Sequence, residues 1–291
     1  MKKPVLQDDA FIADVESSRD VRDDSFRLWW LGQSGFLLQW RGRHVLFDPY
    51  LSDSLTLKYA ATDKPHVRVT ERVVDPVRLA LLVDAATSSH NHTDHLDADT
   101  LRPIIRQKTL VHEDLSLVVS PANETFVHER LGRDGASVVS LNPGESMRVV
   151  SKMEFTAVPA AHPDLATDEN GDPLFVGFVV KFGEWSVYHS GDTKLYDGMV
   201  EMLRPFKIDL ALLPINGDRP ERRVAGNLDG REAARLAKEI GAKMVIPCHY
   251  DMFEFNTADP ADAFIPECER IGQAYRVLRQ GERFSSSEIP R

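Results

Sequence analysis

Short apolar runs alternate with polar turns along most of the chain, and their spacing predicts where strands and helices fall. Strand-like runs cover Phe26 to Leu31, then, after a Gln33-Ser34-Gly35 turn, Phe36 to Trp40 and His44 to Phe47, the last halted by Asp48-Pro49. Later runs cover Met153 to Ala161, ending at His162, then Ser186 to His189, Ile208 to Pro214 and Lys243 to Cys248. The hairpin-like linkage of the first three predicts a mostly antiparallel sheet. Helix signals interrupt the strands. Ser120-Pro121 offers a start and Leu131-Gly132 a stop for a helix carrying Phe126, Val127 and Leu131. Asp229 to Ile240, closed by Gly241, sets Ala233, Leu236, Ala237 and Ile240 on one face. Strands flanked by helices predict an α/β (α+β) fold, two packed sheets with helices outside in a four-layer αββα sandwich. Ligand-bearing strand ends would then converge along one edge.

No internal repeat or low-complexity linker divides the sequence. Residues 1–24, ending in Arg22-Asp23-Asp24, are polar and predict a surface arm or short helix ahead of a single domain over 25–291. At 291 residues and 42% apolar content the chain can bury a sizeable core. No run approaches the ~20 apolar residues of a membrane helix. Met1-Lys2-Lys3 is followed by Gln7, Asp8 and Asp9 rather than the apolar stretch of a secretory leader. With two cysteines, Cys248 and Cys268, there is no disulfide framework, and the expected location is cytoplasmic. A net charge of −10 disfavours nucleic acid, which needs a basic face to release counterions. The expected partner is a small molecule, with homo-oligomerisation left open.

The chemistry concentrates in one run. From Ser89 to Asp97 the sequence reads Ser-His-Asn-His-Thr-Asp-His-Leu-Asp, which gathers His90, His92, Asp94 and His95 within six positions. The Ala85-Ala86-Thr87-Ser88 segment ahead of it reads as a buried element that delivers the histidines to a strand end. On an extended backbone His90 and His92 project to one face and can share an ion. Asp94 and His95 follow where the chain should turn, so they can bend toward a second ion. Imidazoles with a carboxylate and no thiolate suit zinc, manganese or iron rather than calcium or magnesium. Two ions need further ligands, and three strand ends offer them: His162 after Val158-Pro159-Ala160-Ala161, Asp192 in the Ser190-Gly191-Asp192-Thr193 turn, and His249 after Pro247-Cys248.

This order and spacing, from about residue 27 to 284, resembles the metallo-β-lactamase superfamily of binuclear metallohydrolases. Within it, Val245-Ile246-Pro247-Cys248-His249-Tyr250-Asp251-Met252-Phe253, with Asn256 and Ala258-Asp259-Pro260, most resembles the L-ascorbate-6-phosphate lactonase group. The Ser-His-Asn-His run is also similar to that of N-acylphosphatidylethanolamine phospholipase D. The resemblance implies that His90, His92 and His162 hold one metal, Asp94, His95 and His249 the other, and that Asp192 bridges them. Zinc or manganese is expected ahead of iron. One departure is that those lactonases carry an acidic residue at the place of His162, which implies a different preference for metal or substrate.

The implied chemistry is hydrolysis. Paired ions lower the pKa of a shared water from 15.7 toward ~7, and the resulting hydroxide attacks a lactone or related ester, with Asp94 orienting it and passing a proton to the leaving group. Phosphodiester hydrolysis of the phospholipase D kind, or a non-hydrolytic binding module on the same scaffold, are the alternatives. For recognition, the loop Asn216-Gly217-Asp218-Arg219-Pro220-Glu221-Arg222-Arg223 follows a buried strand and should reach the metal edge, where its arginines could clamp an anion such as a phosphorylated sugar lactone. Tyr250, Phe253 and Asn256 are expected on a pocket wall, with Lys58 and Tyr59 opposite. His44, His66, His112 and His128 have no ligand partner nearby in sequence and read as surface or core residues, His189 as a neighbour of the site, and Cys248 as core. Ser34 lacks the surroundings of a nucleophile elbow.

Overall fold

The computed structural model describes residues 1–19, 24–132 and 136–290. They form thirteen strands and seven α-helices. The first sheet contains β1 (Phe26–Gly32), β2 (Gly35–Trp40), β3 (Arg43–Phe47), β4 (Ala85–Thr87), β5 (Leu115–Val119) and β6 (Ala136–Ser140), with β13 (Arg283–Ser285) on its far edge, in the order β13-β1-β2-β3-β4-β5-β6. The second contains β7 (Ser146–Val150), β8 (Met153–Pro159), β9 (Val176–Phe182), β10 (Trp185–His189), β11 (Leu210–Pro214) and β12 (Met244–Cys248), in the order β12-β11-β10-β9-β8-β7.

The first sheet is half parallel, three pairings of each kind, which corrects the expectation from its hairpins, and the second is antiparallel at three of its five pairings. The hairpin-linked strands β1, β2 and β3 do pair antiparallel, but β3 to β6 run parallel, as do β10 to β12. The reason lies in the connections: parallel neighbours need a long crossover, and helices α3 (Ala98–Leu110), α4 (Glu124–Leu131), α5 (Met199–Leu203) and α6 (Gly230–Glu239) lie in the links between them. Helix α1 (Asp8–Ser17), α2 (Ser54–Tyr59) and α7 (Phe264–Ile271) complete the set.

β1 shows how the layers close. Phe26, Leu28 and Trp30 join the core between the sheets, where they meet Phe155, Phe178 and Tyr188, while the intervening Trp29 and Leu31 point the other way into a core shared with Leu101, Ile104 and Ile105 of α3. A strand covered on both faces cannot alternate with polar residues, and Leu28-Trp29-Trp30-Leu31 does not. Within the expected N-terminal arm, α1 docks by burying Phe11 and Val15, and its Asp14 accepts a 2.8 Å hydrogen bond from Trp29 Nε1. The end of that arm, residues 20–23 with Arg22 and Asp23, lies outside the described residues. α6 starts where the sequence indicated, with Asp229 and Glu232 forming a reciprocal capping box that satisfies orphan N–H groups. No helix of the described residues is long and apolar enough to cross a membrane.

Candidate metal centre

The chain leaves β3, β4, β8, β10 and β12 along one edge of the sandwich, and each exit carries a polar side chain inward. His90, His92, Asp94 and His95 follow β4, although not on an extended backbone: the N–H groups of His95 and Leu96 bond to the His92 carbonyl at 3.0 and 2.9 Å, so the segment coils. This coil, rather than a two-residue strand repeat, brings the His90 and His92 rings to 4.5 Å between centroids. His162 follows β8, Asp192 follows β10 and His249 follows β12.

All seven residues meet. Potential ligand atoms of His90, His92 and His162 lie within 4.8 Å of one another, and so do those of Asp94, His95 and His249. Asp192 sits between the two trios. Its Oδ1 is 3.4 Å from His95 Nε2, and its Oδ2 is 3.4 Å from His249 Nε2 and 3.8 Å from His162 Nε2. The turn that carries it needs Gly191: at φ +60°, a Cβ there would stand 2.5 Å from the Cβ of Ser89.

The electrostatics favour a cation. Burial opposes ionisation of Asp192, but His249 and His95 outweigh it and hold the carboxyl well below the usual carboxylate range. Burial likewise works against a charged His95, yet Asp192 and Asp94 raise it well above its ordinary value, and His249 shifts the same way against the same burial. The cluster thus collects protons where a positive ion would fit. His90 and His92, with fewer carboxylates at hand, are pushed down, His92 to about 4, chiefly by burial. Among the described residues, the buried Nε2 atoms of His90 and His95 have no hydrogen-bond partner. Buried lone pairs aimed into a set of imidazoles and carboxylates match the donor chemistry of a transition metal.

A supporting layer holds these side chains. His95 Nδ1 lies 2.7 Å from Asp48 Oδ2, and Ser89 Oγ donates to the same carboxylate while lying 3.0 Å from His90 Nδ1. His162 Nδ1 faces the Gly226 carbonyl at 3.0 Å, and Gln33 Nε2 donates to Asp94 Oδ2 at 3.1 Å. Gln33, Asp48 and His249 all have left-handed φ values, of +47°, +36° and +63°. Such conformations are uncommon for non-glycine residues and persist where surrounding contacts impose them.

The cluster floors a cavity of about 310 Å³, a small-molecule size, lined also by Leu55, Lys58, Tyr59, His66, Arg130 and Phe253. Phe253 and Asn256 line it as expected, and so do Lys58 and Tyr59. Asn216, Arg219, Arg222 and Tyr250 do not, which corrects the expected recognition set. Arg222 spends its guanidinium on the carbonyls of Asn216 and Thr257 and on Asn256 Oδ1, and Asn216 bonds to the same Asn256 oxygen at 2.9 Å, so both brace the loop. Arg219 lines a separate surface hollow, and Arg223 pairs with Asp63. Tyr250 packs on Trp30 at 4.3 Å and donates its hydroxyl to the Leu278 carbonyl. The cavity's own cations are Lys58 and Arg130.

Besides Gln33, three contributors escaped the sequence reading. Asp48 was visible as a carboxylate at a strand end before proline but served there as a terminator. His66, read as surface or core, lines the cavity in an aromatic setting of Tyr59, Phe253 and Phe255. Arg130, in the last turn of α4, carried no local signal. His189 stacks on Phe47 and faces the Ser34 carbonyl at 2.8 Å, as a neighbour of the cluster, and Cys248 is buried.

Fold and edge cluster define the class. Residues 43–250 match the family model described as the beta-lactamase superfamily domain, and the protein is a metal-dependent hydrolase of the metallo-β-lactamase superfamily. More narrowly, the chain belongs to the UPF0173 metal-dependent hydrolase family. A member from Methanopyrus kandleri is 31% identical over 266 residues, spanning 89% of this chain and 99% of the relative. Another from Caldivirga maquilingensis is 29% identical over 235 residues, spanning 81% and 86%. Among solved structures, the isothiocyanate hydrolase from Delia radicum gut bacteria shares the fold at a TM-score of 0.69 and 19% identity, covering 89% of this chain and 98% of that one.

Proposed function

We propose that the protein is a binuclear hydrolase of small anionic molecules, with a lactone or related ester as the bond broken. The observation that carries this reading is the Asp192 carboxylate, whose two oxygens lie within 3.8 Å of histidines from both trios. His90, His92 and His162 would hold one cation, Asp94, His95 and His249 the other, with Asp192 shared. When bound, paired transition metals supply Lewis acidity and lower the pKa of water toward ~7.

The chain's own residues account for the rest. Asp94, held ionised by His95 and His249 against the effect of burial, borders the cavity. It can take a proton from the attacking water and return it to the leaving oxygen once the carbonyl carbon–oxygen bond breaks. Tyr59, Leu55 and Phe253 exclude water from one wall. Lys58 and Arg130 supply the positive charge that favours an anionic substrate, the role expected earlier of the arginine loop. Arg130 is anchored through its Nη1, which donates to the Leu96 carbonyl at 3.2 Å. A cytoplasmic setting and a soluble substrate go with this reading.

A panel of lactones, simple esters and phosphodiesters, each with and without a carboxylate or phosphate, tests it. Turnover of an anionic lactone or ester above its neutral counterpart is expected. Turnover of phosphodiesters alone would replace the ester reading.

A further inference from the structure

Gln33 occupies the tight turn between β1 and β2, far in sequence from every residue of the cluster, yet it touches two of them by different routes. Its side-chain Nε2 donates to Asp94 Oδ2 at 3.1 Å, and its carbonyl accepts the His249 N–H at 3.0 Å. The residue is itself fixed. It is 3% exposed, its φ is +47°, and its carbonyl also takes the Trp30 indole N–H at 3.0 Å.

Three of the other cluster residues are oriented from elsewhere. His95 is held by Asp48, His90 lies against Ser89, and His162 faces the Gly226 carbonyl. Asp94 differs in that its remaining close neighbours, His95 Nε2 at 3.9 Å and His249 Nε2 at 3.7 Å, belong to the cluster. Among the described residues, Gln33 is the hydrogen-bond donor to Asp94 from outside the cluster. Gln33 donates to the same Asp94 oxygen, Oδ2, that faces His95 and His249, and a hydrogen bond to that oxygen restrains the carboxylate from swinging about its side-chain bonds.

We infer that Gln33 is a positioning residue for one of the two cation sites, fixing Asp94 through its amide and His249 through its carbonyl while leaving the His90, His92 and His162 trio untouched. This rests on the two-cation reading of the centre. It makes the two sites unequal in a defined way: Gln33 supports the Asp94, His95 and His249 site, whereas its neighbour Ser34 donates at 3.4 Å to Asp192, which both sites share.

The test is zinc titration of the chelator-stripped full chain by calorimetry against a competing chelator. Wild type should take up two equivalents in two resolvable steps. Gln33→Met, near in shape but without a donor, should keep one step within about twofold and weaken the other by about 10- to 100-fold, the range seen when outer partners of metal ligands are removed. Gln33→Asn keeps the amide but falls a methylene short of Asp94, and it should show the same one-sided loss if the methionine variant does not fold. Two unchanged steps overturn the inference, and so do two steps weakened equally, which would mark Gln33 as merely structural. Fewer than two equivalents in wild type would instead remove the two-cation reading, and the inference with it.

Discussion

Asp48 Oδ2 lies 2.7 Å from His95 Nδ1, with both side chains wholly buried. Burial penalises the Asp48 charge, but His189 and His95 outweigh it and keep the carboxyl below its ordinary range. The pair fixes the tautomer that leaves His95 Nε2 free to face the cluster.

Asp48→Asn should therefore weaken cation binding by about 10- to 100-fold, because the amide no longer supplies a charged acceptor to the imidazole. Competition with a chromophoric chelator reads this directly. Binding as tight as wild type would show that His95 is oriented by the backbone alone.

The cavity's cations divide the two sets of basic residues. Lys58→Ala and Arg130→Ala should each raise KM for an anionic substrate with little change in kcat, by roughly fivefold or more for an anion contact in a partly open pocket. Arg219→Ala and Arg223→Ala should keep wild-type kinetics, since Arg219 lines another hollow and Arg223 pairs with Asp63 in solvent. Steady-state kinetics on the best anionic substrate decides, and the reverse pattern would restore the arginine loop to recognition.

His44 supplies a stability prediction away from the centre. Burial, partly offset by Asp84, pushes its pKa down to about 4. The unfolded chain takes up that proton near pH 6.5 while folded His44 resists it until about 4, so the unfolded state binds more protons across this window and stability falls as pH drops through it. Above pH 6.5 both forms are neutral and the contribution is flat. The loss should reach about 3 kcal/mol at pH 4. Denaturant unfolding of wild type and His44→Gln at pH 7.5 and 4.5 should show a smaller acid loss in the variant; equal losses would assign acid sensitivity to other groups.

The sequence made the centre legible because its ligands are chemically distinctive and stand at strand ends. Six positions hold four of the seven, and the remaining three each follow an apolar run. What it left hidden depends on long-range packing. Gln33 meets Asp94 from 61 positions away and Asp48 meets His95 from 47, contacts that no local pattern announces. Arg130 reaches the cavity because α4 packs beside α3, whereas Arg222 and Arg223, plausible by charge, are drawn off by nearer acceptors and Arg219 lines another hollow. The parallel pairings of both sheets escaped for a related reason, since hairpins are marked by short turns and crossovers only by the helix between.

Elemental analysis of the purified full chain, paired with hydrolysis assays before and after a strong chelator, tests the central claim most directly. The account predicts close to two transition-metal ions per chain in wild type, loss of hydrolysis on chelation with recovery on adding metal back, and far lower metal content in Asp192→Ala, whose missing carboxylate serves both sites. A protein that carries no transition metal and keeps hydrolysing after chelation would contradict it.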